Sequence, residues 1–373
     1  MKRHWRTLFA MSLGLLFVLT SCGFPGMVST SEQLPHVRAN GQSASLPPIH
    51  FPQDEGAHNN LTEWWYYTGH MQSTDHAGHS HTYGFEFVVF QALRSNLPPI
   101  YVAHFAISDI TRGQFHYDQR RLIEPPAAQK KATQGINVQL GDWSMQGING
   151  NDHLAASMQN YALHLNLSGQ KQAVLHNGNG LISLGSAGFS YYYSRTHMKV
   201  SGTVQDHGRT VPVTGLAWMD HQWGNFLAQG DGGWDWYSLQ LQNDTEIMLY
   251  FIRAANGTIT TTYGDVIDAS GQSHQFSPRS IKTTVLAHWT SPITKATYPS
   301  GWRLAIDDAH WQGNVTITPV LKNQQLVTCQ STGNTYWEGA VTIQGQQRNQ
   351  AIRGQGYMEL TGYANTACNQ SNG

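Results

Sequence analysis

The chain has 373 residues, a formal net charge of -1 and only 12% charged residues, with no clustered run of lysine or arginine. That balance excludes the electrostatic footprint by which proteins hold nucleic acid, and it implies no acidic partner. Its 12 Trp, 16 Tyr and 13 Phe supply ample aromatic surface for cores, interfaces and apolar binding sites.

Taken in chain order, Met1-Lys2-Arg3-His4-Trp5-Arg6 sets positive charge ahead of the apolar run Leu8 to Leu19. That run has the length of a signal-peptide core and is too short for a comfortable bilayer span. It stops at Leu19-Thr20-Ser21-Cys22-Gly23, which resembles a bacterial lipobox. Residues 1–22 are therefore expected to be a lipoprotein signal peptide, with Cys22 lipidated and the protein exported. The lipid would anchor it to the cell membrane or outer membrane, facing the periplasm or exterior. Residues 23–48, rich in Gly, Ser, Pro, Gln and Asn, read as a flexible tether. Cys329 and Cys368 are the cysteines left in the body, and in an oxidising compartment they are expected to pair. Closing a loop of roughly 40 residues contributes about 3–4 kcal/mol in the chain-entropy picture.

From residue 49 onward, short aromatic and β-branched runs alternate with Gly, Asn, Asp and Ser, and no helical period persists. The fold class is all-β, with two tandem antiparallel β-barrel domains expected at 49–227 and 228–368. Expected strands include Trp64 to His70, Tyr83 to Gln91, Ser190 to Tyr193, Lys199 to Val204, Gly215 to Trp218 and Gly356 to Tyr363. Asn243-Asp244-Thr245 marks a hairpin between Trp236 to Gln242 and Glu246 to Arg253. A short internal echo, Trp65-Tyr66-Tyr67 against Trp236-Tyr237-Ser238, supports the tandem. Several strands, such as Tyr83 to Phe90, are apolar on both faces, which suits a sandwich, a covered barrel or a barrel with an apolar lumen.

Three clusters can carry chemistry. In the first, Trp64, Trp65 and Tyr67 precede Glu86 and His104, a carboxylate and an imidazole set in apolar strands where each is costly unless paired or functional. The second is Trp218-Met219-Asp220-His221-Gln222-Trp223. An Asp220–His221 dyad there requires a bulge, because neighbours on a regular strand face opposite ways; a structural corner is the competing reading. The third holds Glu338 and Glu359, a raised-pKa pair or partners of Arg253 or Arg303. The loop Asp75-His76-Ala77-Gly78-His79-Ser80-His81 offers imidazoles, but its spacing matches no firm metal site, and no metal is assigned. Gly-x-Ser-x-Gly, His-Glu-x-x-His and phosphate-loop patterns do not occur.

Glu63-Trp64-Trp65-Tyr66-Tyr67-Thr68-Gly69-His70, Tyr83-Gly84-Phe85-Glu86-Phe87, Ala103-His104-Phe105-Ala106-Ile107-Ser108-Asp109, Gly215 to Gly224, Trp234-Asp235-Trp236 and Gly356 to Tyr363 together resemble the carotenoid 1,2-hydratase and AttH-type family. The resemblance implies tandem lipocalin-like barrels and a site for an elongated hydrophobic ligand, isoprenoid- or lipid-like. In hydratase members it implies addition of water to a terminal alkene with no redox cofactor. On that reading Glu86 or Asp220 donates the proton and His221 handles water. Trp64, Trp65, Tyr67, His104, Trp223, Trp236 and Glu359 line the ligand site. A lipid-anchored carrier of such a ligand is the leading expectation, with a hydratase-type lyase or hydrolase as its alternative.

Overall fold

A computed structural model of the chain describes residues 46–74, 78, 80–94, 97–123, 134–183, 188–226, 232–364 and 368. The expected signal sequence, Cys22, most of the expected tether, and Asp75, His76 and His79 lie outside the described residues.

The described chain is almost wholly antiparallel β, in two large sheets. The first contains β1 (Thr62–Thr74), β2 (Ser80–Ala92), β3 (Ile100–Asp109), β4 (Gln114–Leu122), β5 (Ile136–Leu140), β6 (Trp143–Ile148), β7 (Asn151–Met158), β8 (Tyr161–Gly169), β9 (Val174–Leu175), β10 (Leu181–Ser183), β11 (Phe189–Asp206) and β12 (Arg209–Gly224). Its order is β4-β3-β2-β1-β12-β11-β8-β7-β6-β5, so the last long strand returns beside the first. The second contains β13 (Trp234–Leu241), β14 (Glu246–Arg253), β15 (Ile259–Ile267), β16 (Ser273–Gln275), β17 (Ile281–Val285), β20 (Trp302–Asp307), β21 (Gln312–Pro319), β22 (Gln325–Val327), β23 (Thr335–Gln347) and β24 (Gln350–Leu360); β18 (His288–Thr290) and β19 (Thr297–Pro299) form a separate hairpin. This is the expected all-β architecture of lipocalin-like barrels. The β13–β14 hairpin turns where Asn243-Asp244-Thr245 predicted it, with Asp244 at φ 56°.

Period-2 alternation explains which side chains fill the barrels. In β1, Trp65, Tyr67 and Met71 point inward with Phe85, Phe87 and Val89 of β2, Phe105 and Ile107 of β3, and Met219 and Trp223 of β12. Tyr237, Leu239, Trp302, Trp337 and Met358 play that part in the second barrel. Both interiors are packed with side chains.

The opposite face of the same strands is also apolar because the barrels lie against each other. Tyr66, Val88, Tyr192 and Trp218 pack against Trp236, Met248, Tyr263, Ala340 and Tyr357. This explains why Tyr83 to Phe90 reads as apolar on both faces: one lines a barrel and the other an interface. Gly84 marks the close approach, since a Cβ there would lie 2.6 Å from the Tyr357 hydroxyl and 2.8 Å from Ala340.

Two expectations shift in register. Ser190 to Tyr193 and Lys199 to Val204 belong to one strand, β11, interrupted by a bulge between Arg195 and Met198. The internal echo moves by one residue: Tyr237 faces inward and Trp236 outward, so matching by face aligns Tyr66-Tyr67 with Trp236-Tyr237. Cys329 and Cys368 are disulfide-bonded, with Cα atoms 5.2 Å apart.

Candidate functional site

Strand register gathers four carboxyl groups on the buried face between the barrels. Asp220 stands opposite Tyr66 on β1, Glu86 opposite Thr68, and Glu338 and Glu359 face each other across β23 and β24. Carboxylates directly opposite one another repel. Glu86, Glu338 and Asp220 are buried, and Glu359 is half-buried. The hydrogen-bond partners of these groups are hydroxyls and indole N–H groups rather than cations. Tyr66 Oη donates to Glu338 Oε1 at 2.7 Å, Trp234 Nε1 to Glu359 Oε2 at 2.7 Å, and Tyr336 Oη lies 2.9 Å from Glu86 Oε1. Glu86 Oε2 and Glu338 Oε2 have no hydrogen-bond partner among the described residues. Arg253, one suggested partner for the late glutamates, bonds Asp235 instead.

This environment keeps carboxyls protonated. Burial drives Glu86 up to about 8; the Tyr336 hydrogen bond opposes the rise and Glu359 adds to it. Burial also pushes Glu359 to about 7, against the Trp234 hydrogen bond and with repulsion from Asp220. Glu338 is held well above its ordinary value by burial, then by Glu86 and Glu359. Such surroundings favour the neutral acid, which can give up a proton.

From Glu86 a line of exchangeable protons runs outward. His104 Nδ1 is 2.7 Å from Tyr336 Oη and its Nε2 is 2.9 Å from Ser331 Oγ, which reaches Gln119 Oε1 at 2.7 Å. Burial lowers His104 to about 3, so the ring is neutral. Glu86, Tyr336, His104, Ser331 and the half-buried Gln119 are thus linked in one hydrogen-bonded chain.

Asp220 is the most heavily bonded of these four acids. It accepts from Tyr192 Oη at 2.6 Å, from Trp218 Nε1 at 2.6 Å and from Ser194 Oγ. Burial raises its pKa, opposed first by Ser194 and Tyr192. His176 Nε2 is 2.7 Å from Ser194 Oγ and its Nδ1 is 2.9 Å from Asp265 Oδ2. These contacts have the spacing of a Ser–His–Asp triad. The serine, however, gives its hydrogen to Asp220 and accepts from His176, so the chain orients a carboxylate rather than activating a nucleophile.

The predicted residues thus divide by face. Glu86, His104, Asp220, Trp64, Trp236 and Glu359 come together on the outer, inter-barrel side. Trp65, Tyr67, His221 and Trp223 point into the first barrel. No bulge intervenes at Asp220-His221, which pair regularly with Tyr66 and Trp65, so the two side chains do not meet. His221 bonds Glu63 Oε1 through Nε2 at 2.8 Å, while its Nδ1 has no partner among the described residues. Burial lowers His221 to about 4 against the opposing Glu63 hydrogen bond. Burial acts to raise Glu63, yet hydrogen bonds from His221 and His58 hold it below its usual range. Tyr66, Tyr192, Ser194, His176, Asp265 and Tyr336 were not singled out in the sequence. Alternation with Trp64 was the available signal for Tyr66; His176 and Asp265 have none, being brought together across the two barrels.

Around the acids, Tyr66 meets Trp236 edge to face at 5.3 Å and Trp218 meets Trp236 at 6.1 Å. Trp64, Phe90, Trp234 and Tyr250 are half-buried and pack against this inter-barrel cluster. A separate surface concavity of about 810 Å³, lined by His70, Gln72, His153, Asn166, Lys199 and Gln355 among others, lies on the outside of the first sheet.

Comparison with known proteins places this architecture. Kievitone hydratase of Fusarium solani subsp. phaseoli is 22% identical over 240 residues, or 62% of this chain and 66% of that enzyme. A crystal structure of an AttH protein from Nitrosomonas europaea superposes with a TM-score of 0.75 at 32% identity, covering 85% of this chain and 98% of that one. Kievitone hydratase from Nectria haematococca shares the fold, with a TM-score of 0.67 at 16% identity over 88% of this chain and 97% of that one. The AttH-like family model matches residues 42–363, both sheets and the whole acid cluster included, and the chain belongs to that family.

Proposed function

We propose that the inter-barrel site adds water to an alkene of a hydrophobic, isoprenoid- or lipid-like molecule. The observation that carries this reading is the pair of buried glutamates, Glu86 and Glu338, each with one oxygen unpartnered among the described residues and without a cation there, beside a cluster of aromatic side chains. The sequence relationship to a hydratase supports it. Protonated Glu86 gives its hydrogen to the less substituted alkene carbon, leaving a tertiary carbocation and the Glu86 carboxylate. The faces of Tyr66, Trp236 and Trp64 stabilise the cation. Water bonds to the cationic carbon and loses a proton to a carboxylate of the cluster. That group returns the same proton to the Glu86 carboxylate, which restores the acid, so the net change is addition of one water.

The lipobox at Cys22 supports a location on a membrane facing the periplasm or exterior, where apolar substrates are concentrated. Small molecules extracted from natively purified protein, identified by mass spectrometry and returned to it in isotopically labelled water, test the proposal. Incorporation of one labelled water by the wild type, lost on the order of 10²–10⁴-fold in Glu86→Gln, is the expected result. A retained apolar molecule that never turns over makes the protein a carrier and overturns the hydration reading.

A further inference from the structure

The inner face of β1 and β12, across the strands from the acids, holds a second group of reactive side chains that hydration does not use. Glu63 Oε1 lies 2.7 Å from His58 Nδ1 and 2.8 Å from His221 Nε2. One ligand atom from each residue falls within 4.8 Å of the others. The second carboxylate oxygen, Oε2, is held by the His58 amide at 2.8 Å and by Gln91 Nε2 at 3.0 Å. Gln91 is itself fixed by the Tyr101 hydroxyl at 2.6 Å. Both imidazoles are clamped by indoles: His58 stacks on Trp223 at 4.1 Å, and His221 on Trp65 at 4.9 Å. The far nitrogen of His58 faces Asp54 Oδ1 at 3.4 Å.

We propose that His58 Nδ1, His221 Nε2 and Glu63 Oε1 bind one divalent transition-metal ion, zinc in first place. Two imidazoles and a carboxylate are a zinc donor set, and three protein ligands leave a fourth position open. The surroundings match what a metal ligand needs outside its first contacts: a carboxylate behind one histidine, and a glutamate turned by two N–H donors so that its free oxygen faces both rings. For tetrahedral zinc, with bonds of about 2.0–2.1 Å, the donors must open to roughly 3.3 Å apart. Half-buried His58 lies in the segment just before β1 rather than within a strand. The ion replaces the protons now shared between Glu63 and the ring nitrogens. It would staple to the barrel a segment that is also tied down by the Glu55–Arg195 ion pair and by Phe51 packing on the core. The site stands independently of the hydration reading.

Cobalt titration of the full-length protein after chelator treatment tests the proposal, with His58→Gln and Glu63→Gln compared with a variant in which His76, His79 and His81 are all glutamine. The wild type and the loop variant should each take one equivalent of cobalt with the visible absorption of a tetrahedral site. His58→Gln should weaken binding at least about 100-fold while keeping its near-ultraviolet circular dichroism. Zinc should slow amide exchange across residues 50–60 in the wild type and not in His58→Gln. Absence of stoichiometric uptake by the wild type, unchanged affinity in His58→Gln, or loss of binding in the loop variant overturns the proposal.

Discussion

Replacing Glu86 by glutamine separates a buried neutral acid from an ordinary carboxylate without any need for the substrate. The fold raises Glu86 from an ordinary 4.5 to about 8, so folding favours its protonated form. The associated stability is fully present below about pH 4.5 and is lost as pH rises through about 8. A displacement of that size corresponds to at most about 5 kcal/mol. Because Glu338 and Glu359 release protons within the same cluster, a gain of about 2–4 kcal/mol is expected when glutamine removes this one charge. Urea unfolding of wild type and Glu86→Gln near pH 5 and near pH 8.5 measures it. The mutant should gain far more at the higher pH, whereas packing differences cancel between the two conditions. An equal mutant-minus-wild-type difference at both pH values would refute the claim that Glu86 carries its proton in the folded state.

Tyr336→Phe removes the hydrogen bond that holds Glu86 down, so the alkaline loss of stability should move to higher pH; a shift the other way contradicts the assigned contact. Gly84→Val drives a branched side chain into Tyr357 and Ala340 and should cost about 1–3 kcal/mol through overpacking, read by thermal unfolding, with the intrinsic fluorescence of the interface tryptophans altered as well. Serine at both Cys329 and Cys368 should lower unfolding free energy by about 3–4 kcal/mol, measured against the oxidised wild type. Ser194→Ala leaves Asp220 short of one donor, which should raise the Asp220 pKa, followed by its carboxyl NMR titration.

The all-β class, the hairpin after β13 and the disulfide were all legible in the sequence, since alternation, turn residues and cysteine count are local or compositional signals. So were the acids Glu86, Asp220 and Glu359, each conspicuous because a carboxyl among aromatic residues demands a reason. Alternation even set the condition that separates Asp220 from His221: without a bulge they face opposite ways, and the regular pairing of β1 with β12 decides it. Tertiary structure alone decided which face of each strand fills a barrel and which meets the other barrel, because both are equally apolar. It also decided the partners. Tyr66 reaches Glu338 across 272 residues, His104 reaches Tyr336 across 232, and His221 reaches Glu63 across 158. No local pattern records such distances; they arise from strand register and from the packing of one barrel on the other.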